Sequence, residues 1–217
     1  MKILNLYAGI GGNRKLWGDE HDITAVELNP QIAKIYQDFF PQDKVIVADA
    51  HQYLLEHYGE FDFIWSSPPC VTHAKMNLIN HLSPYKDNTA QLKQGGGIAP
   101  RYPDLSLYQE IIFLDNFYRG RWCVENVIGY YEPLIRPREV ARHFCWANFH
   151  ISTYNIATRG HHDRLEAAQD RKGFKLHEYK NIDKEKILRN CVEPGLGLHI
   201  LNSARKEDED LFSPKFR

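Results

Sequence analysis

The sequence predicts an α/β fold with a mostly parallel central sheet, on two observations. Short apolar runs alternate with helix-like stretches at intervals of roughly 20 residues, which implies parallel strands joined by right-handed crossovers. The carboxyl ends of successive strands carry a glycine-rich turn, a glutamate and an aspartate, the places where open α/β sheets bind ligands. The 217 residues suffice for one substantial domain, or one domain plus a small lobe. Lys+Arg number 27 against Asp+Glu 28, and 43% of residues are hydrophobic, as expected of a soluble globular chain. Such a balance does not announce nucleic acid, so any such binding needs a local basic face. No apolar run approaches the roughly 18–20 residues of a membrane span, and no signal-peptide pattern opens the chain. The expected location is cytoplasmic. Cys70, Cys123, Cys145 and Cys191 are widely spaced without a C-x-x-C pair, so zinc sites and a disulfide framework are not expected.

Each element follows in order. Met1 to Tyr7 holds Ile3, Leu4 and Leu6, a buried strand, which Ala8-Gly9-Ile10-Gly11-Gly12-Asn13 breaks before a helical turn at Arg14 to Trp17. Glycines here let the backbone approach a ligand closely; alone they are a weak signal, and many such turns are only turns. Ile23 to Val26 is a second strand ending in Glu27 and Leu28. Asn29 caps a helix Gln31 to Phe40, opened by Pro30. An acid at this position, about 20 residues after the glycine turn, is where ribose hydroxyls bind; otherwise it is an exposed strand-end acid. Val45 to Val47 is a third strand, ending in Ala48-Asp49-Ala50, and His51 to Tyr58 is a short helix.

Phe61 to Trp65 is the fourth strand, and Ser66-Ser67-Pro68-Pro69-Cys70 ends it. Paired prolines force a stiff, extended exit from the sheet. They leave Cys70 at a strand's carboxyl end, where a nucleophile would be useful. A lone cysteine is more often a small buried apolar residue; its surroundings argue otherwise here. From Val71 to about Tyr102 periodicity vanishes, with Gly95-Gly96-Gly97, several prolines, and Lys75, Lys86, Lys93 and Arg101. A loop this long is usually a lid or binding loop. Leu105 to Tyr118 is a helix, and Arg121 to Val124 is the fifth strand, ending in Glu125-Asn126-Val127. That puts a carboxylate at the strand end expected beside Cys70.

Together these residues resemble the DNA cytosine-5 methyltransferase family. Leu6-Tyr7-Ala8-Gly9-Ile10-Gly11-Gly12 is similar to its first motif, with Tyr7 in place of Phe. Pro68-Pro69-Cys70 and Glu125-Asn126-Val127 match its catalytic motifs. Asn190-Cys191-Val192-Glu193-Pro194 resembles its last motif, with Arg189 for a Gly and Glu193 for a Pro. The resemblance covers Met1 to Val127 and reappears around Asn190 to Ile200. It implies a Rossmann-like S-adenosylmethionine-dependent methyltransferase fold. The implied reaction transfers a methyl group to C5 of a cytosine flipped out of double-stranded DNA. Cys70 would add to C6, and Glu125 would hold the ring N3 and exocyclic amine. S-adenosylmethionine would lie along Tyr7, Ala8, Gly9, Gly11, Gly12, Glu27, Leu28, Asp49 and Ala50. Pro69, Leu107, Asn190 and Val192 would complete its pocket. No metal is expected. The protein would act as a monomer, and the resemblance leaves room for a restriction partner.

Two departures stand out. The family's Gln-x-Arg-x-Arg motif has no clean counterpart. Gln169-Asp170-Arg171 lies at the usual distance from Glu125, but no strand-like run follows it. Arg142-His143 precedes the strand-like Phe144 to Phe149, which makes Arg142 the better candidate. The usual target-recognition domain is also missing. The chain divides into a core over 1–152, a small basic lobe over 153–186, a segment over 187–205 returning to the core, and a charged tail over 206–217. The lobe's Arg159, His161, His162, Arg164, Arg171, Lys172 and Lys175 read as phosphate contacts, which position without specifying sequence. His161-His162-Asp163 reads as a solvated loop rather than a metal site. Three alternatives stay open: an amino-methyltransferase, which Ser67-Pro68-Pro69 fits but Cys70 does not; an RNA cytosine-5 methyltransferase; and an inactive binding relative.

Overall fold

The computed structural model describes residues 1–76, 102–155 and 165–206. The strands are β1 (Lys2–Leu6), β2 (Asp22–Val26), β3 (Lys44–Ile46), β4 (Phe63–Ser66), β5 (Arg121–Val127), β6 (Arg138–Val140) and β7 (His143–Ala147). The helices are α1 (Pro30–Phe39), α2 (Ala50–His57), α3 (Ser106–Phe117), α4 (Leu165–Lys172), α5 (Lys184–Asn190) and α6 (Pro194–Lys206), with 3-10 turns at Asn13–Leu16 and Tyr58–Glu60.

All seven strands join one sheet in the order β3-β2-β1-β4-β5-β7-β6. The first five pair in parallel, and β7 runs antiparallel to both β5 and β6. This is the Rossmann-like α/β class. Its topological switch point falls between β1 and β4, where ligands are expected at the carboxyl ends. The expected strands and helices before β5 are present within a residue or two. Asn29 caps α1 by accepting from Gln31 N at 2.9 Å and Ile32 N at 3.3 Å.

Two differences bear on the site. The edge strand β6 has only three residues, too few to leave a periodic signal. β5 does not stop at Val124 but continues through Val127, because β7 carries the ladder past the end of β4. Ser66 is paired with Val124, whereas Glu125 faces Cys145 and Val127 faces His143. Glu125 is therefore fixed within a ladder, which holds it more firmly than a loop would.

The sheet buries both faces. Ile3, Phe63, Trp65, Cys123 and Cys145 pack beneath Leu196, Ile200, Leu201 and Ala204 of α6. Leu4, Leu6, Ile64, Val124 and Trp146 pack against Leu54 of α2 and Leu107, Ile111 and Leu114 of α3. Each fully buried side chain of this kind contributes about 1.5–3 kcal/mol. A third cluster joins Ile35, Tyr36 and Phe40 to Phe174, Leu176 and Leu188. Phe174 and Leu176, in the described part of 153–186, thus rest on α1. Arg14, on the turn after the glycines, is buried against Asp43, with Nε at 2.8 Å and Nη2 at 3.1 Å.

Some expectations fall on residues outside those described: Lys86, Lys93, Gly95 to Gly97 and Arg101 of the expected lid, Arg159 and His161 to Arg164 of the lobe, and the tail beyond Lys206. Among the described residues, no helix is long and apolar enough to cross a membrane.

Candidate active site

The carboxyl ends of β1, β2 and β3 lie side by side at one edge of the sheet. Tyr7 and Gly9 both take positive φ, 54° in each case. That conformation is easy for glycine and strained for tyrosine, and strain of this kind concentrates at functional sites. The Gly9 N–H donates to Glu27 Oε2 at 3.0 Å, and Asn29 N–H donates to Glu27 Oε1 at 2.9 Å. Glu27 thus ties the glycine turn to the end of β2. A Cβ built on Gly9 would meet nothing within 4 Å, so the space beside it is open. Leu28 and Val47, at the ends of β2 and β3, are 66% and 53% exposed. Asp49 caps α2 through Gln52 N at 2.8 Å and is itself exposed. Open space at a glycine turn, two exposed apolar side chains and two carboxylates fit a nucleoside-bearing cofactor such as S-adenosylmethionine. Ala8, Ala50 and Leu107 are buried in the core, at 6%, 3% and 2% exposure.

The first and last motifs meet at the glycine turn. A Cβ on Gly12 would stand 2.3 Å from Val192 O and 2.4 Å from Cys191 Sγ, so the last motif packs on the first only because residue 12 is glycine. Val192 borders the turn, and Asn190 is exposed at the end of α5. Glu193, standing where the family pattern has a proline, accepts from Arg171 Nη1 at 2.5 Å and lies 3.2 Å from Lys172 Nζ. Lys172 is buried and also donates to Cys191 O, while Lys175 pairs with Asp170. Arg171 and Lys172 therefore hold the last motif in place. The expected part as a phosphate contact is corrected for Lys172, which is too buried to reach a phosphate.

At the ends of β4 and β5 the structure brings together Cys70, Ser67, Glu125 and His143. The turn carrying the half-buried Cys70 is held from both sides. Asn126 Nδ2 donates to Pro68 O at 3.0 Å, and Cys70 O accepts from His73 N and Ala74 N at 3.0 and 2.9 Å. His73 Nδ1 meets Tyr131 Oη at 2.7 Å, and Thr72 Oγ1 accepts from Asp104 N at 3.0 Å. Burial pushes the Cys70 thiol up and the charge of Glu125 adds to this, while a backbone hydrogen bond and the Arg189 cation oppose it. Glu125 is 5% exposed. Its Oε2 accepts from Ser67 Oγ at 2.9 Å, and its Oε1 lies 3.6 Å from His143 Nε2. Pro69 is exposed beside Cys70.

The two candidate arginines part company. Arg142 is exposed on the turn between β6 and β7, directly before His143, whose pairing with Val127 sets that turn at the carboxyl end of β5. Arg171 lies on α4 and pairs with Glu193.

Sequence reasoning missed Ser67, His143, Arg189 and Glu110. The buried Glu110 of α3 accepts from Tyr7 Oη, from Ser66 Oγ at 2.7 Å, and meets His51 Nδ1 at 3.2 Å. Burial and then Glu110 drive the Tyr7 phenol far up, and the hydrogen bond to Glu110 raises His51. One signal for Glu110 was available: it lies on the same helical stripe as Leu107, Ile111 and Leu114. Among the described residues, no group of three or more His, Cys, Asp or Glu could hold a metal ion.

Residues 1–77 match the model of the C-5 cytosine-specific DNA methylase family. No curated protein matches the chain. Among solved structures, it aligns with a DNMT2 variant from Spodoptera frugiperda at 26% identity and TM-score 0.37, over 59% of this chain and 36% of that one. A hypothetical protein from Thermus thermophilus aligns at 13% identity and TM-score 0.44, over 67% of this chain and 73% of that one. An Agrobacterium tumefaciens SAM-dependent methyltransferase aligns at 13% identity and TM-score 0.39, over 60% and 40%. The chain spans little more than a third of the first of these, 36% of its length. The glycine turn, Glu27, Asp49 and Cys70 all lie within the stretch that carries the C-5 cytosine-specific DNA methylase pattern.

Proposed function

We propose that the protein transfers a methyl group from S-adenosylmethionine to C5 of a cytosine flipped out of duplex DNA, with Cys70 as the covalent nucleophile. The observation that carries this reading is the meeting of Cys70 and Glu125 at the ends of two adjacent parallel strands, close enough that the carboxylate charge raises the thiol.

S-adenosylmethionine, when bound, supplies an electrophilic methyl group. Glu27 receives its ribose hydroxyls, Asp49 its adenine amine, and Leu28 and Val47 flank the base. Tyr7, Gly9, Gly11, Gly12, Pro69, Asn190 and Val192 close the pocket around it, with Ala8, Ala50 and Leu107 forming its floor. On the nucleotide side, the Cys70 thiolate adds to C6 while Glu125 gives its proton to N3, and the ring electrons gather at C5. C5 takes the methyl group. Its hydrogen then leaves as a proton to water, the S–C6 bond breaks, and the N3 proton returns to Glu125. A neutral Glu125 serves twice, since it can donate to N3 and no longer opposes the thiolate. Arg142, on the turn at the same sheet end, contacts the flipped nucleotide. Flipping is required because C6 and C5 are unreachable within the stack.

Incubation with labelled donor and duplex containing 5-fluorocytosine tests the reading. Fluorine cannot leave as a proton, so a stable protein–DNA adduct is expected, and Cys70→Ala abolishes it. An adduct that survives this substitution refutes the assignment, and trapping on RNA alone would move the substrate.

A further inference from the structure

Three polar side chains converge on Glu110, a fully buried carboxylate within α3. Its Oε1 accepts from Tyr7 Oη and meets His51 Nδ1 at 3.2 Å, while its Oε2 accepts from Ser66 Oγ at 2.7 Å. A buried carboxylate is costly unless paired, and His51, raised by this contact, supplies the balancing charge. Side chains of β1 alternate between the faces of the sheet: Ile3 packs beneath α6, and Leu4 and Leu6 pack toward α3. Continued alternation would send Tyr7 to the α6 face. The positive φ of 54° returns its ring to the α3 face instead, where it reaches Glu110. The strained backbone thus delivers the hydroxyl to the carboxylate. The ends of β1 and β4 have little else to tie them. The chain leaving β1 turns to Trp17 on the α6 face, whereas the chain leaving β4 goes on to α3 on the other. Among the described residues, the outermost backbone bond between the two strands, Ser67 N to Leu6 O, is long at 3.4 Å.

We propose that Glu110 is a positioning residue for methyl transfer, one oxygen holding the end of β1 that carries the glycine turn and the other the end of β4 that carries Cys70. This inference rests on the methyl-transfer reading above. In that reaction the donor lies against the end of β1 and the thiol stands beyond the end of β4. The gap between the methyl carbon and C5 therefore depends on how the two ends are set. A misplacement of about 1 Å can cost about 100-fold in rate. Tyr7 Oη and Ser66 Oγ reach the same carboxylate, one from each end, so Glu110 sets their separation without touching donor or base. The two arms can be cut independently. Tyr7 carries the donor arm, and Ser66, in the strand that leads to Cys70, carries the nucleophile arm.

The test measures S-adenosylmethionine binding by calorimetry and label transfer to cytosine in duplex DNA, both per mole of folded protein. Tyr7→Phe should weaken donor binding about tenfold, the lower end of the range for a hydrogen bond to a charged group. Ser66→Ala should leave that affinity within about twofold and lower turnover at saturating donor and DNA about 10- to 100-fold. Glu110→Leu should show both losses, and Glu110→Gln, which keeps one acceptor oxygen, should recover part of each. Adding Ser66→Ala to Glu110→Leu should change turnover by less than about twofold, because that arm is already cut. If Glu110→Leu does not fold, the two hydroxyl deletions decide. Wild-type affinity in Tyr7→Phe or wild-type turnover in Ser66→Ala overturns the proposal, since a carboxylate that serves only the core would change melting temperatures alone. A full further loss in the double variant overturns it too. Absence of transfer to C5 of cytosine by the wild type refutes the parent reading and this inference with it, an outcome distinct from normal wild-type transfer with indifferent variants.

Discussion

Asp43→Ala is the perturbation whose cost can be worked most fully from the structure. The Asp43 carboxylate receives Arg14 Nε at 2.8 Å, Arg14 Nη2 at 3.1 Å and Tyr36 Oη at 2.8 Å. The Arg14 and Asp43 side chains are 2% and 1% exposed. Without the carboxylate, the buried guanidinium keeps, among the described residues, Asp19 at 3.4 Å, itself 82% exposed, and the ring of Phe40 at 5.0 Å. Breaking a buried pair in this way costs about 3–5 kcal/mol, and the Tyr36 hydroxyl, which keeps Asn5 but loses the acceptor of its proton, adds about 1 kcal/mol. Water entering the vacated space offsets part of this, so the expected loss is about 3–5 kcal/mol. Urea unfolding should show a midpoint lower by about 2 M for a chain of this size. The double variant Arg14→Met with Asp43→Leu should regain most of the loss, since apolar replacements of buried pairs are often neutral. A loss under about 1 kcal/mol for Asp43→Ala would refute the argument that an uncompensated buried charge sets the cost.

Two further outcomes follow from the site. Because burial and Glu125 hold the Cys70 thiol above its ordinary value of 9.0, its alkylation by iodoacetamide in the free protein should climb about tenfold per pH unit up to that value; Arg189→Ala should move the profile to still higher pH, and a plateau by about pH 7 would contradict the assignment. Gly12→Ala, which sets a Cβ 2.3 Å from Val192 O, should weaken S-adenosylmethionine binding about tenfold by calorimetry with the circular dichroism of the sheet intact, whereas unchanged affinity would remove the last motif from the pocket's border.

The sequence announces the first five strands because their apolar runs, caps and breakers agree at every level. Glu27, Asp49 and Cys70 are legible for the same reason: each directly follows a run whose end is marked. Ser67 is hidden because its hydrogen bonds run to two partners, one two residues away and one on the next strand. Glu110 is hidden because a carboxylate within an apolar stripe looks like an interruption until Tyr7, Ser66 and His51 converge on it. The helix α6 is obscured by Pro194-Gly195-Leu196-Gly197, which has the composition of a loop. A Cβ at Gly197 would stand 2.2 Å from Asn13 O, so that glycine answers a tertiary contact rather than a local preference. Glu193 and its basic partners likewise make sense only as a group, since the acid replaces an expected proline and Arg171 and Lys172 neutralise it.

The packing of Val192 on Gly12 sets an order of events for a chain made from its amino end. The sheet strands and most of their cover emerge first, and the wall that closes the glycine turn follows only after all of them. A ribosome-bound chain lacking that wall leaves the glycine turn uncovered. On the proposed reading, methyl-donor binding thereby reports that the chain has been read at least to Val192, and a frameshift anywhere upstream yields a product without that wall.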